Sequence, residues 1–533
     1  MRCVMAKQAL AALTGALAGI VSAAAALGVA ELVAAVTGPA SSPVVAVGAA
    51  AIGLTPVPVK DFAIAHFGSD DKAALVTGIL VLLAVFAALI GALAVRRLAA
   101  GLAGMAVFGA LGVGAALTRP AAGPADALPS LAGTAAAAVA LALLIRQARA
   151  GQPPAAAAEA SAAGRAPAAR AAGPVPAARP GRRGFLAAAG ATAVIAAAGG
   201  AAGDLLLRGS GAAAARSQVR LPRAAAPAPP VPPGAELNIP GLTPFFTPDA
   251  GFYRVDIDLV VPQLRPDQWT LRVTGMVDRP LELTFGDLLR LPLIEHDMTL
   301  VCVSDEVGGP YAGNARWLGA SLPALLRRAG IRRGADQVLS SGADGMTIST
   351  PADTVMDGRQ ALIAVGMNGQ PLPLEHGFPA RMLVPGLYGY VSATKWVTTL
   401  KVTTFARDRA YWTRRGYAAT APIRTESRID VPRPLSRLTA GAATVAGVAW
   451  APHRGISAVQ VNVDGGPWHD ATLAAADGAD TWRQWAWRWD AVPGLHTLQV
   501  RAADGAGVFQ TSERAGVFPS GATGWDSVVV TVT

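Results

Sequence analysis

Hydrophobic positions divide this chain into unlike halves. Up to about residue 147, apolar residues run in long stretches, at 9–35, 43–66, 73–95, 98–118 and 127–146. Each approaches the ~20 residues that a helix needs to cross the bilayer core. Region 1–147 is therefore expected to be a five-span helical membrane region. Pro56, Pro58 and Lys60 interrupt the second stretch, which membrane helices tolerate when neighbours re-satisfy the backbone. Residues 148–183 lose the apolar pattern and keep Ala, Pro, Gly and Arg, the composition of a disordered linker. A further apolar stretch, 184–206, reads as a sixth span or an internal export signal, and 207–235 as a Pro-rich linker.

Beyond residue 236 the pattern shortens to the periods of small strands and helices. Segments 271–275 and 298–303 read as strands. Phe285–Arg290 and Leu322–Ala329 read as short helices, with Thr284 and Ser321 as N-caps. Region 236–424 is thus an α+β domain, with no long βαβ alternation and no GxGxxG motif. Region 425–533 reads as all-β, with strands at 445–450, 458–463, 485–490, 495–502 and 527–532. Asp464-Gly465-Gly466, Pro493-Gly494 and Asp504-Gly505 mark the turns. That spacing fits an immunoglobulin-like sandwich, in which Trp482, Trp485, Trp487 and Trp489 pack rather than bind.

Charge changes the picture only in the membrane half. The formal net charge is +10, but many arginines lie in the linker (Arg149, Arg165, Arg170, Arg179, Arg182 and Arg183), and no basic helix carries interleaved aromatics. Nucleic-acid binding is not expected. A cytoplasmic loop beside a membrane accumulates Lys and Arg. With Arg96, Arg97 and the linker inside, the soluble domains fall on the extracytoplasmic side. Six spans would also put the N-terminus outside, against the sense of Arg2 and Lys7. The run Arg182-Arg183-Gly184-Phe185-Leu186 before an Ala-rich stretch resembles a twin-arginine export signal. His66 is the single histidine of the membrane half, so paired haem ligands are not expected there.

Two cysteines, Cys3 and Cys302, form no CxxC, which argues against c-type haem and Cys-rich metal sites. Cys302 ends an apolar strand and enters the Gly-containing turn Ser304-Asp305-Glu306-Val307-Gly308-Gly309. Alone, it can be a buried small hydrophobe, a nucleophile served by His296 or His376, or a soft metal ligand.

Several motifs in order bear on that choice. They are Thr247-Pro248-Asp249 with Phe252-Tyr253; Cys302; Gly313-Asn314-Ala315-Arg316-Trp317; Asp344-Gly345; His376-Gly377-Phe378-Pro379-Ala380-Arg381; Lys395-Trp396; and Tyr411-Trp412-Thr413-Arg414-Arg415-Gly416-Tyr417. This series, over about residues 240–533, resembles the sulfite-oxidase family of molybdopterin enzymes, in its membrane-anchored, actinobacterial-like branch. The resemblance implies a molybdenum–molybdopterin cofactor with Cys302 as the protein's metal ligand. It implies pterin and phosphate contacts from Tyr253, Asp344, His376, Arg381, Ala393, Thr394 and Lys395. It places Tyr417 beside the metal and Arg454 in an anion pocket, and makes 425–533 a domain that pairs two protomers. It implies oxygen-atom transfer to or from a small substrate, a sulfite-like oxyanion or a sulfoxide. With no haem domain in the chain, electrons are expected to pass to an external carrier, a cytochrome or a quinone-linked subunit.

Three departures bear on substrate. Arg254 stands one residue before the family's sulfite-binding arginine. Asp305 and Glu306 follow Cys302 where small and basic residues are usual. The stretch before Lys395 is one residue longer. A membrane-tethered binding module without metal, and a thiol enzyme, are the competing readings.

Overall fold

The computed structural model describes residues 2–56, 59, 71–119, 122–150, 182–208 and 211–533. The chain forms two compact units. One comprises Met1–Ser210 with Ile257–Gln263, the other Gly211–Asp256 with Leu264–Thr533.

The first unit is helical. Five of its helices are long and apolar enough to cross a membrane, over Ala9–Thr37, Ala74–Arg96, Leu98–Leu117, Pro124–Arg149 and Gly184–Gly203. In the second apolar stretch Pro43–Leu54, 12 residues, is helical, and residues 57, 58 and 60–66 lie outside the described residues. The expected disordered linker lies almost wholly outside them too, as does His66; the Arg182–Arg208 helix follows it. Small residues let the helices meet closely. A Cβ on Gly19 would stand 1.9 Å from the Ala87 carbonyl oxygen, so the first helix and Asp71–Arg96 cross backbone to backbone, as membrane helices do at small-residue stripes. Arg149 donates to the Ala94 and Val95 carbonyls at the end of that same helix, satisfying acceptors that a helix C-terminus leaves open.

The second unit begins with an α+β domain built on two sheets. Strands β1 (Thr270–Gly275), β2 (Leu281–Thr284), β5 (Gln337–Gly342), β6 (Thr347–Pro351) and β10 (Val397–Thr403) pair in the order β2-β1-β10-β5-β6. Strands β3 (Leu293–Val301), β4 (Ala312–Ser321), β7 (Leu362–Met367) and β8 (Gln370–Pro371) form the other sheet, with β9 (Arg381–Leu383) on β7. All six residues of β7 are buried, as a strand covered on both faces requires. The capping signals act as read. Thr284 Oγ1 accepts from Asp287 N at the start of Phe285–Arg290, and Ser321 Oγ accepts from Ala324 N at the start of Leu322–Ala329.

The last domain has two sheets over one core. Its strands run β11 (Glu426–Val431), β12 (Arg437–Leu438), β13 (Gly441–Trp450), β14 (Ile456–Val463), β15 (His469–Asp470), β16 (Thr472–Leu473), β17 (Arg483–Ala491), β18 (Gly494–Asp504) and β19 (Asp526–Val532). They pair as β11-β13-β17-β16 and β12-β19-β18-β14-β15. Val445, Val459, Val461, Trp485, Trp489, Val500 and Val530 fill the space between. The tryptophans therefore pack: Trp485 and Trp489 are buried in that core with Trp487 half-buried against it, and Trp482 is buried in the core of the preceding domain.

Candidate functional site

Strands β3 and β4 are antiparallel, with Val301 opposite Ala312. Cys302 is the first residue of the loop that joins them. Its N–H donates to Tyr311 O at 2.9 Å, which pins the cysteine at the strand end. The side chain is buried. Ser304 N approaches its sulfur at 3.4 Å. Burial pushes the thiol pKa up, with Ser304 opposing, so without a bound cation this sulfur stays protonated. The loop is held by Asp305, whose Oδ1 accepts from Tyr311 N at 2.7 Å.

Around Cys302 the structure gathers residues from remote segments. Tyr253 stacks on Phe252 and meets Tyr311 edge-on. Its phenol pKa is raised well above the ordinary value, first by burial and then by the Cys302 charge, while Arg381 opposes. Arg381 opens β9 and is 6% exposed, yet no carboxylate pairs with it among the described residues. Nη1 donates to His376 O at 3.2 Å, the guanidinium carbon lies 5.2 Å from the Trp317 ring, and Nε has no partner. Burial lowers its pKa to about 10. A buried guanidinium with an open donor is costly unless an anion completes it.

His376 ends a short helical turn at Leu374–His376. Burial, then Arg381, lowers its pKa to about 4. It is therefore neutral near pH 7, and its Nε2 donates to the Asp249 carbonyl at 3.2 Å. Gly377 follows with φ 108, and a Cβ there would press on Arg381 Cβ and Lys395 Cα, each at 3.1 Å. Only glycine lets this turn close over both cations. Lys395 Nζ donates to Asp256 Oδ2 at 2.8 Å and to Glu375 O at 3.2 Å; burial lowers its pKa to about 8. Thr394 is buried and shares a hydrogen bond with Ser340 Oγ, while Ala393 N bonds to Gly389 O. Asp344 Oδ1 accepts from Met346 N at 3.1 Å, and burial pushes its pKa up to about 6 despite Lys395 nearby.

The two substrate-side residues expected from the sequence make contacts of their own. Tyr417 lies in an aromatic cluster, 5.5 Å from the Tyr390 ring and 5.2 Å from those of Trp412 and Phe518. Arg454 is engaged in the last domain, donating to Asp504 Oδ2, Ile423 O and Thr425 Oγ1. Arg254 is 36% exposed and pairs with Asp256 at 2.8 Å. Neither histidine considered for a thiol enzyme is hydrogen-bonded to Cys302: His296 Nε2 meets Asp480 Oδ2 at 2.8 Å, and His376 is on Asp249.

Other features had no sequence signal. Asp305 and Glu426 are both 2% exposed, and each has one carboxyl oxygen without a partner. Burial pushes Asp305 up to about 6 and Glu426 well above the carboxylate range, Asp305 adding to the latter. Glu426 stands 121 residues after Asp305, so no spacing argument could pair them. Asp256 was equally hidden.

Residues 258–412 match the family model described as oxidoreductase molybdopterin binding domain. Mitochondrial sulfite oxidase of Rattus norvegicus is 30% identical over 287 residues, 46% of this chain and 52% of that protein. The uncharacterized oxidoreductase YuiH of Bacillus subtilis (strain 168) is 33% identical over 150 residues, 28% of this chain and 72% of that protein. The chain belongs to the sulfite-oxidase-type molybdopterin oxidoreductases. It spans about half the length of the sulfite oxidases it matches. The structure of sulfane dehydrogenase SoxCD from Paracoccus pantotrophus aligns at TM-score 0.48 and 25% identity, covering 54% of this chain and 84% of that one.

Membership of this family implies a molybdenum–molybdopterin cofactor, and the residues present fit it. Among the described residues no group of three or more His, Cys, Asp or Glu is placed to hold a metal. A metal at Cys302 therefore has to bring most of its donors with it, as a dithiolene cofactor does. The open Nε of buried Arg381 suits that cofactor's anionic part. A soft thiolate suits the metal, and coordination would deprotonate a sulfur that burial otherwise keeps neutral.

Proposed function

We propose that the chain is a membrane-anchored molybdenum enzyme that transfers an oxygen atom to or from a small neutral substrate of the sulfoxide type. Buried Arg381, with one donor open and Tyr253 between its charge and that of Cys302, carries the cofactor part of this reading. When bound, the cofactor supplies the two-electron chemistry of oxygen-atom transfer. The protein's own part is holding and excluding. Cys302 anchors, Arg381 and Lys395 offer positive charge, and neutral His376 with Gly377 closes the turn over them. Thr394, Ala393, Asp344 and Tyr253 supply polar edges. Tyr417 is the phenol proposed to serve the reacting oxygen.

The substrate reading rests on charge. Arg254 is held by Asp256 and Arg454 by Asp504, and the loop after Cys302 buries the acid Asp305 instead of a base. With its pKa raised only to about 6, this acid is charged near neutral pH and repels an oxyanion.

The apolar helices support a multi-pass anchor. If only the five long helices cross, the N-terminus lies on the cytoplasmic side with Arg2, Lys7, Arg96 and Arg97, and the second unit on the other. That agrees with the positive-inside rule throughout. The twin-arginine run would then export a domain already loaded with cofactor. The last domain is read as an immunoglobulin-like module that pairs protomers.

The test is steady-state turnover of the full chain from a host that makes molybdopterin. A neutral sulfoxide and sulfite are offered as competing substrates, with suitable dye partners. The expected kcat/KM for the sulfoxide is greater by ~10-fold or more, and Arg454→Ala leaves it unchanged. Dominant sulfite turnover, lost in Arg454→Ala, would overturn the substrate reading.

A further inference from the structure

Oxygen-atom transfer leaves the cofactor two electrons out of balance, and a second partner must take or supply them. The surface near Tyr417 has features such a partner would use. The Gly389–Ser392 helix abuts the strand end that carries Cys302: a Cβ on Gly389 would stand 3.7 Å from Val301 O. Tyr390, in that helix, contacts Tyr417 at 5.5 Å between ring centres, and Tyr417 contacts Phe518 at 5.2 Å. Phe518 is 57% exposed. A series of aromatic rings, Tyr390, Tyr417 and Phe518, therefore runs from a helix that abuts the end of the Cys302-bearing strand to the surface.

Phe518 is held in place. Gly416 stands against its ring, Ala418 N donates to Pro519 O at 3.1 Å, and Arg424 Nη2 donates to Ser520 Oγ at 3.1 Å. A bridge between Ala515 and Thr523 closes the loop that bears it. An exposed ring on a closed, pinned loop needs little ordering to bind.

The surroundings are basic. Arg414, Arg424 and Arg514 are exposed, and Arg415 is half-buried with its guanidinium 3.5 Å from the Tyr411 ring centre. Glu513 is the acid of the same loop, while Asp408, nearby in sequence, is taken by Lys401 and Thr403. An apolar centre rimmed by like charge is the pattern of a transient docking site, where charge steers the encounter and the ring makes the contact. A neutral substrate has no use for that rim.

We propose that Phe518, with the rim of Arg414, Arg424 and Arg514, is the docking surface for a small one-electron carrier protein with an acidic face. Such a carrier exchanges the two electrons in two visits, one per visit. This rests on the reading of the chain as a molybdenum oxidoreductase, but its binding test does not depend on metal.

The experiment immobilises the full chain in detergent, with and without molybdenum, and measures binding of two probes: flavodoxin, which is acidic, and cytochrome c, which is basic. Flavodoxin is expected to bind saturably at low salt, weakening about tenfold or more toward physiological salt. Arg414→Glu with Arg424→Glu should weaken it a further tenfold or so, and Phe518→Ala by several-fold, with molybdenum content unchanged. No flavodoxin binding, equal binding of cytochrome c, or affinity indifferent to these variants would overturn the proposal. Normal docking by a chain that never holds molybdenum would instead count against the enzyme reading alone.

Discussion

The proposed cofactor side and the proposed substrate side of the site are built in different ways. His376, Gly377, Arg381, Ala393, Thr394 and Lys395 lie within 20 residues and are brought together by one tight turn and two neighbouring segments. Tyr417 and Arg454 come from later segments, and their settings depend on contacts made far along the chain. Tyr417 sits among Tyr390, Trp412 and Phe518, and Arg454 is occupied by Asp504. The first arrangement is local and travels with its motif. The second follows from packing, and a motif match says little about it.

The comparison breaks most sharply at Arg381. If its buried, open guanidinium exists for an anionic cofactor, Arg381→Met should cut molybdenum retention by about tenfold or more. The cofactor-free protein should meanwhile gain thermal stability, because an unpaired buried charge is gone. A loss of stability without cofactor would make Arg381 a structural residue. Elemental analysis and calorimetry on the same samples read both.

Gly377 comes next. Gly377→Ala must accept a left-handed backbone and crowd Arg381 and Lys395, at a cost of about 1–2 kcal/mol or somewhat more. Retention should fall several-fold, and a melting curve gives the stability part. Unchanged retention would show that the turn does not position the two cations.

His376 has the smallest expected effect, and it depends on pH. Its folded pKa, about 4, lies below the ordinary 6.5. The stability linked to its neutral form is complete above pH 6.5 and is lost as pH falls toward 4. Asp305 and Asp344 act oppositely, since each is raised from 3.8 to about 6. Their contribution is complete below 3.8 and is lost as pH rises through 6. In cofactor-free protein, His376→Gln removes only the first effect. The melting temperature of the variant relative to wild type should therefore climb between pH 6.5 and 4 and stay level above 6.5. A level difference throughout would mean that His376 is not buried neutral.

Much of the fold was legible because its signals are local. Thr284 and Ser321 cap helices, and turn glycines close strands. The apolar alternation of 445–450 and 527–532 marks paired strands of the last domain. Cys302 at the end of an apolar run was equally visible. Hidden were pairs made across the fold: Asp256 on Lys395, Asp305 near Glu426, and the lack of any acid on Arg381 among the described residues. No period or spacing encodes such pairs, because each partner is chosen by how sheets and loops stack. The apolar stretch from 43 has a hydropathy that reads as a span of the ~20 residues a crossing needs; Pro43–Leu54 is helical, and 57, 58 and 60–66 lie outside the described residues.

Cys302 is proposed as the protein's own ligand to molybdenum. The direct test is the metal content of the full chain from a molybdopterin-making host, with X-ray absorption at the molybdenum edge, for wild type and Cys302→Ser. About one molybdenum per wild-type chain, with one sulfur neighbour fewer in the variant, is the expected result for a thiolate ligand. Folded wild type without molybdenum, or the same sulfur count in both proteins, would contradict it.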